Sequence, residues 1–159
     1  MTDNPTRTYG VVPLETIKSM SGIELMRAIR DCRLPSPPIS QALDFWLDTV
    51  EPGLIVFIGR PNLSHYNPLG AVHGGYAGAL LDSCMSCAVQ TTLEAGSGYT
   101  TLEYKVHLVR AITDKTGPVR AEGRLVHPGK RAATAEGRIL DAQGRVLAHG
   151  TTTCLIFPL

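Results

Sequence analysis

"NPLGAVHGGYAGALLDSCMS", residues 67–86, begins as a Pro/Gly loop and continues as a run of small apolar residues. The wider run 70–93 carries a single formal charge, Asp82, and a single imidazole, His73. Its length and composition predict a buried helix from about Gly74 to the end of the run, because its glycine, serine, glutamine and threonine residues make it too polar for a lone membrane span. A helix that is apolar nearly all round must be covered on every side.

The remainder of the chain supplies strands for that cover. Residues 43–61 read as extended chain with a turn at 51–53, which indicates a hairpin. Four strand-like segments with short turns follow the helix, at 99–112, 117–129, 130–143 and 144–157. We predict that these four form an antiparallel meander, and that the fold is α+β, with a curved antiparallel sheet wrapped around one long central helix. An unpaired edge of the sheet favours pairing with a second chain.

The N-terminal part is helical in pattern. "SGIELMRAIRD", residues 21–31, predicts a short amphipathic helix, in which Ser21 is the candidate cap and Glu24 follows three residues later. A Pro-rich connector, residues 34–40, comes next.

Composition and charge exclude several classes of protein. The 159 residues suit one domain, and a hydrophobic content of 43% with 18% charged residues is typical of a globular chain. A net charge of +1 implies no general affinity for nucleic acid. The C-terminal part 99–159 has 9 Lys and Arg against 5 Asp and Glu, so it either meets an anion or presents solvated strand faces. The N-terminus has no apolar h-region, so we expect no signal peptide.

The four cysteines are Cys32, Cys84, Cys87 and Cys154. Cys84 and Cys87 form a C-x-x-C pair inside the predicted helix, without a second pair at zinc spacing. We therefore predict buried thiols rather than a metal or redox site, and a cytoplasmic protein.

The start of the predicted helix is suited to an oxyanion. At Gly74 the free N–H groups and the positive end of the helix dipole can hold a polarised carbonyl oxygen, and Gly75 allows close approach of a ligand to the backbone. The same glycine pair is equally explained as a tight turn. We expect His73 to hold that turn by hydrogen bonding, because a cation is disfavoured before a helix N-terminus.

Asp82 is either a functional carboxylate or a structural acid bonded to a backbone or hydroxyl group, because an isolated charge in an apolar helix is costly. It lies eight residues after Gly74, a rise of roughly 12 Å. One helix cannot readily bring both groups to one carbonyl carbon, whereas two antiparallel helices across a dimer interface can. Ser86 lies one turn after Asp82 on the same face, where it can orient a water or the carboxylate.

These residues, in this order, resemble the hotdog-fold acyl-CoA thioesterases of the PaaI-like (4-hydroxybenzoyl-CoA thioesterase-like) group. The similarity rests on N-P-L-G-A-V-H-G-G followed by Asp82 within a helix, on the strands TTLEYKVHLVRAI and RLVHPGKRAATAEGRI, and on the closing DAQGRVLAHGTTT. It covers about residues 45–157. It implies a hotdog thioesterase domain over 45–159, preceded by an N-terminal extension, 1–44, with a short helix and an open role.

The resemblance also implies roles for individual residues. Gly74 polarises the thioester carbonyl through its N–H, and Asp82 of the other subunit acts as nucleophile or general base. Asn67 matches a polar residue that helps to position water or thioester, within the motif that also contains His73 and Gly75. Two further positions match residues that bind the attacking water in some members, namely Ser86 and Thr101.

The implied substrate is an acyl-CoA, with coenzyme A as part of the substrate, no other cofactor and no metal. Its phosphates require cations, for which we nominate Lys130 and Arg131 in the turn "HPGKR", and also Arg110. A solvated turn explains the first two equally well. The implied assembly is a homodimer joined edge to edge, or a tetramer, with no nucleic acid or membrane as partner.

Two alternatives remain open at this point. The hotdog fold also hosts enoyl-CoA hydratases and dehydratases, which use a His with an Asp or Glu, although the spacing of His73 and Asp82 favours hydrolysis. A non-catalytic module that binds CoA esters is the other. An aromatic or medium-chain acyl group is expected, in a pocket that involves Tyr66, Tyr76, Met85 and the segment near Phe57, with the N-terminal extension as a cover.

Overall fold

The computed structural model describes residues 7–159, so the first six residues of the predicted extension lie outside the described residues. Three short helices come first: α1 Leu14–Ser19, α2 Gly22–Arg30 and α3 Pro38–Ala42. They are followed by β1 Phe45–Glu51, β2 Leu54–Gly59, the long helix α4 Gly74–Gln90, β3 Ser97–Leu108, β4 Val119–His127, β5 Ala132–Leu140 and β6 Val146–Pro158. Single 3-10 turns occur at Leu63–His65 and Asp114–Thr116.

The six strands form one antiparallel sheet in the order β1-β2-β4-β5-β6-β3, and this sheet wraps around α4. The predicted α+β architecture is therefore confirmed. The predicted four-strand meander is wrong in one pairing, because β3 pairs with β6 and not with β4. The reason is the connection 109–118, which passes the start of α4, where the backbone N–H of Val72 donates to the carbonyl oxygen of Ile112 at 3.0 Å.

Close contact between α4 and the sheet depends on glycines on the inner face of the strands. A Cβ at Gly123 in β4 would overlap the carbonyl oxygen of Cys84 in α4. A Cβ at Gly137 in β5 would lie 2.7 Å from Cγ of Met85. Because these positions have no side chain, the backbone of the helix rests almost directly on the sheet.

The predicted helix in the N-terminal extension is present as α2, and its predicted cap is confirmed. Both the backbone N–H and the hydroxyl of Ser21 donate to Oε2 of Glu24, at 2.9 and 2.6 Å. The apolar side of α2 is buried through Leu25, Met26 and Ile29. It covers the part of the core around β1 and the C-terminal half of α4, which the sheet leaves open. The patterns of α1 and α3 are too short to be read from the sequence.

No helix within residues 7–159 is long and apolar enough to cross a membrane. All four cysteines are free thiols, with Cys84 and Cys154 buried and the other two partly covered. Burial raises the pKa of Cys84 far above its ordinary value and that of Cys87 to about 12, so both thiols stay protonated at neutral pH.

The contact at Gly123 leads to a stability prediction. Gly123→Ala should lower the free energy of unfolding by about 3 kcal/mol, the upper end of the usual cost of overpacking, because the added methyl group meets backbone atoms of α4. Urea denaturation measures this change. Gly78→Ala is the matched control, since its Cβ would lie 3.5 Å from the hydroxyl of Tyr104, and alanine raises helix propensity by about 1 kcal/mol. Equal stability of the two variants would contradict the account of the packing.

Candidate active site

The start of α4 is capped by His73. Its ring nitrogen Nδ1 accepts a hydrogen bond from the backbone N–H of Gly75 at 2.8 Å, so the neutral ring carries its proton on Nε2. The backbone N–H of His73 donates to the carbonyl oxygen of His65 at 2.8 Å, which fixes the turn. Gly74 occupies the first helical position, where an N–H has no acceptor within the helix. The N–H of Gly75 is engaged by the cap, and that of Gly74 points out of the helix end.

A cavity of about 220 Å³ opens in front of this helix end. Four of the residues singled out in the sequence line it together: Asn67, His73, Gly74 and Arg110. Asn67 shapes the rim, because its side-chain oxygen accepts from the N–H groups of Leu69 and Ala71 at 2.9 and 3.3 Å and so closes the loop 67–71. The cavity therefore combines a free helix N–H with a cation.

Asp82 lies half-buried in the middle of α4, on the side that the sheet does not cover completely. Its Oδ1 accepts a hydrogen bond from the hydroxyl of Thr101 in β3 at 2.9 Å. A hydroxyl partner satisfies one oxygen of the carboxylate and fixes its orientation. Both interpretations of Asp82, the structural and the functional, are compatible with this hydrogen bond.

A β-bulge in β3 directs Thr101 toward the helix. The register of β3 against β6 shifts between Thr101 and Glu103, so the exposed Leu102 is an extra residue. Without the bulge, the strict alternation of a strand would turn either Thr101 or the later Val106 away from α4. The bulge allows both parts of the strand to face the helix.

Ser86 is buried one turn beyond Asp82 and has a partner that the sequence analysis missed. The hydroxyl of Tyr99 donates to Oγ of Ser86 at 3.2 Å. Burial raises the pKa of Tyr99 well above its ordinary value, so this phenol remains a donor. The alternation of Tyr99 with Thr101 was the available signal, because residues two apart in a strand share a face.

The residues nominated from the sequence thus fall into two separate groups. Gly74 and its cavity lie at the N-terminal end of α4, and Asp82 with Thr101 and Ser86 lies in its middle. The two groups are separated by eight helical residues, roughly 12 Å along the axis. No residue of the second group lines the cavity of the first.

The nominated cations are also divided. Lys130 and Arg131 are exposed in the turn between β4 and β5. By strand register this turn is level with Thr100, with β6 between them, and it does not line the cavity at the start of α4. Arg110 lies next to Gly74, and its Nη1 donates to the carbonyl oxygen of Val146.

Arg110 also lines a second, polar cavity of about 340 Å³, to which Lys115 and Arg145 contribute. Arg145 is paired with Asp141 at 2.7 Å, so its charge is partly neutralised. Lys115 was missed because the loops 109–118 and 141–146 approach one another only in the folded chain.

The four residues expected from the sequence to share an acyl pocket, Tyr66, Tyr76, Met85 and Phe57, do not line any of the described cavities together. Tyr76 and Met85 are buried in the core, where the ring of Tyr76 stacks on His65 at 4.7 Å. The hydroxyl of Tyr66 donates to Oδ1 of Asp114 at 2.6 Å in an exposed loop. Only Phe57 lines an apolar cavity, which lies under the N-terminal helices.

The cap at His73 leads to a prediction about the helix start. His73→Ala should lower the free energy of unfolding by about 1 kcal/mol, because the N–H of Gly75 loses its side-chain acceptor. His73→Asn should retain most of the stability, since asparagine is a good N-cap. Thermal or urea unfolding of the three proteins tests this, and an alanine variant as stable as the unchanged chain would rule out the cap.

The family model for the thioesterase superfamily matches residues 69–148, half of the chain. That region contains the whole of α4, with Asp82, and the strands β3, which carries Thr101, β4 and β5. The sequence matches none of the curated proteins.

Three solved structures illustrate the similarity of fold. A phenylacetic acid degradation-related protein of Ralstonia eutropha is 26% identical, with a TM-score of 0.73, and the match covers 85% of this chain and 98% of that protein. A thioesterase of Haemophilus influenzae is 18% identical, with a TM-score of 0.71 and 94% of both chains covered. A protein of Streptococcus mutans with acetyl-CoA bound is 21% identical, with a TM-score of 0.65 over 72% of this chain and 89% of that one.

Proposed function

The chain belongs to the thioesterase superfamily and has the hotdog fold, and on this premise we propose that it hydrolyses the thioester of an acyl-CoA to a free acid and coenzyme A. The observation that carries the proposal is the combination of a free N–H at the start of α4 with one carboxylate, Asp82, oriented by the hydroxyl of Thr101. The similarity to a structure that binds acetyl-CoA supports a CoA ester as substrate.

The proposed site is shared between two copies of the chain, because Gly74 and Asp82 of one chain are too far apart to reach one carbonyl group. The edge strand β3 supports such a dimer. It is 12 residues long, pairs only with β6 among the described strands, and exposes the apolar side chains of Leu102, Tyr104 and Leu108. A long unpaired edge with apolar side chains is suited to pairing with a second copy. A two-fold axis beside β3 would form two equivalent sites, each with Gly74 from one copy and Asp82 from the other. A dimer, or a tetramer built from two such dimers, fits the proposal.

In the proposed reaction, the carbonyl oxygen of the thioester accepts a hydrogen bond from the N–H of Gly74 in one copy. The positive end of the helix dipole stabilises the negative charge that develops on that oxygen. Asp82 of the other copy either attacks the carbonyl carbon or removes a proton from the water that attacks it. The C–S bond then breaks and the thiolate takes up a proton. If water is the nucleophile, the acid forms in this step; if Asp82 is, a water molecule then hydrolyses the anhydride between Asp82 and the acyl group, which releases the acid and restores the carboxylate.

The neighbouring residues have supporting roles in this proposal. The hydroxyl of Thr101 orients Asp82, and Ser86, held by Tyr99, is placed to orient water on the same face of α4. His73 maintains the helix start and Asn67 the loop before it. The N–H of Gly75 is already bonded to His73, so this residue contributes only its small size, which lets the substrate approach the backbone. The mechanism requires no cofactor besides the coenzyme A of the substrate.

The cations beside the Gly74 cavity are placed to bind the phosphate groups of coenzyme A. Arg110 lines both this cavity and the adjoining polar cavity, and Lys115 lies in the second. Phosphate groups bind readily to such a pair of cations. In this arrangement Lys130 and Arg131 can reach the same phosphates only from the second copy, because their turn lies at the other end of the sheet.

The geometry at His73 favours hydrolysis over addition of water to an enoyl-CoA. A hydratase uses a histidine together with an acid as its proton-transfer groups. Nδ1 of His73 is engaged by the N–H of Gly75, and the ring maintains the helix end. An assay of enoyl-CoA hydration separates these activities directly, and binding of CoA esters without turnover would identify a binding module instead.

The carboxylate provides the first test. Asp82→Asn should lower kcat for acyl-CoA hydrolysis by about 10²–10⁴-fold while leaving the fold intact, because the amide has a similar shape and is neither a base nor a nucleophile. Thiol release from short, medium, long and aromatic acyl-CoAs measures this.

Thr101 offers a matched pair for that test. Thr101→Val removes the hydrogen bond to Asp82 and should lower kcat about tenfold. Thr101→Ser retains the hydroxyl and should keep most of the kcat. Unimpaired turnover by Asp82→Asn would exclude the proposed chemistry.

The helix N–H provides the second test. Gly74→Pro removes this N–H at the first helical position, where proline is well tolerated, and should lower kcat by about 10²–10³-fold. Gly74→Ala is the matched control, because it adds a Cβ against the flexible end of Leu108 but retains the N–H. Similar losses in both variants would mean that the added atoms, and not the N–H, are responsible.

The same variants test whether the site is shared. A hybrid of one Asp82→Asn chain and one Gly74→Pro chain, purified by two different affinity tags, has one site with both groups intact if each site uses two copies. It should regain about half of the activity of the unchanged dimer. An inactive hybrid would place both groups in the same chain.

A further inference from the structure

An apolar cavity of about 230 Å³ lies beneath the N-terminal helices, and nearly all of its wall lies outside residues 69–148, which the superfamily model matches. Most of its wall comes from the N-terminal part of the chain: the segment 10–12, α1, α2 and the Pro-rich connector 35–38. β1 and β2 contribute the remainder, including Phe57, and α4 contributes Cys87. Among the residues that the structure describes, the side chains of its wall are apolar, and Cys87 contributes the one thiol.

The cavity lies close to Asp82 along the same helix. Cys87 follows Asp82 by five residues, a rise of roughly 7.5 Å, and directly follows Ser86. Its sulfur is 4.0 Å from the hydroxyl of Tyr99, which in turn donates to Ser86. Asp82 and Ser86 share one face of α4, and Cys87 lies further round the helix. The hydroxyl of Tyr99 contacts both Ser86 and Cys87, so the wall of the cavity adjoins the face of the carboxylate at Tyr99.

The chemistry of the wall selects an uncharged, apolar occupant. Burial keeps the thiol of Cys87 protonated, since it raises its pKa to about 12, and within residues 7–159 no charged side chain lines the cavity. A charged group would lose its hydration there without compensation. At about 30 Å³ for each water-sized group, the volume holds roughly seven or eight non-hydrogen atoms.

We propose that this cavity binds the hydrocarbon part of the acyl group, so that the copy which supplies Asp82 also holds the acyl chain, while the copy which supplies Gly74 holds coenzyme A. The proposal rests on the proposed thioesterase function and deepens it. The N-terminal extension then acts as the specificity element, and the preferred substrates carry an apolar acyl group of about six to eight carbons.

Substitutions that change the cavity volume test this assignment. Val12, half-buried in the wall and outside any helix or strand, allows both directions of change. Val12→Phe should lower kcat/KM for octanoyl-CoA about tenfold or more relative to acetyl-CoA, because each displaced methylene weakens binding by about tenfold or more. Val12→Ala should shift the preferred chain length upward. Ile39→Phe is the control, since it adds the same ring to an exposed position of the extension that does not line the cavity.

A chain-length profile that is the same for Val12→Phe, Val12→Ala and the unchanged protein would overturn the assignment. If Val12→Phe also loses turnover of acetyl-CoA, Ile17→Phe, which fills the cavity from α1, takes its place. If the unchanged protein hydrolyses no acyl-CoA, the thioesterase proposal fails. In that case calorimetric binding of S-octyl-CoA, a thioether that cannot be hydrolysed, still tests the cavity: weaker binding by Val12→Phe than by Ile39→Phe supports it, and equal binding contradicts it.

Discussion

The structure depends on the need to cover α4 on nearly all sides. Eleven of its 17 residues are buried, so no single layer of the fold can cover it. The sheet curls around the helix, and glycines such as Gly123 and Gly137 let the two backbones approach closely. The remaining apolar surface is covered by α2, whose buried face packs against β1 and α4. Asp82 lies where this cover is incomplete, so its carboxylate is partly hydrated and bonded to Thr101 rather than enclosed without a partner.

The rigidity of the same helix separates the two groups that thioester hydrolysis needs. An N–H at the first helical position and a carboxylate eight residues later cannot approach each other, because a helix has a fixed rise per residue. A second copy resolves this separation if the two chains pair along β3, whose edge is long and partly apolar. In the proposed function, catalysis therefore requires the dimer. Loss of the pairing along β3 would separate Asp82 of one copy from the N–H of Gly74 in the other.

The two kinds of cavity match the two ends of an acyl-CoA. Near the start of α4, Arg110 and Lys115 provide positive charge, as phosphate groups require. Beneath α2 the wall is apolar, as a hydrocarbon chain requires. Residues of the N-terminal extension thus have two roles. Leu25, Met26 and Ile29 complete the core, and they also form part of the cavity that we assign to the acyl group.

The sequence by itself determined the features that depend on local patterns. These include the helix that begins at Gly74, the capped helix at Ser21, the hairpin of β1 and β2, and the lone carboxylate at position 82. Their signals are periodicity, capping residues and turn residues, all of which act within a few positions of the chain. Only the tertiary structure decided that β3 joins β6, that a bulge at Leu102 turns Thr101 toward Asp82, and that Tyr99 reaches Ser86. It also decided that Lys115 and Arg110 line one cavity and that residues 10–38 form an apolar cavity with β1, β2 and α4. These features arise from contacts between segments that are distant in the chain. The curvature of the sheet around the helix decides which segments meet, and neither segment alone carries a periodic signal of the contact.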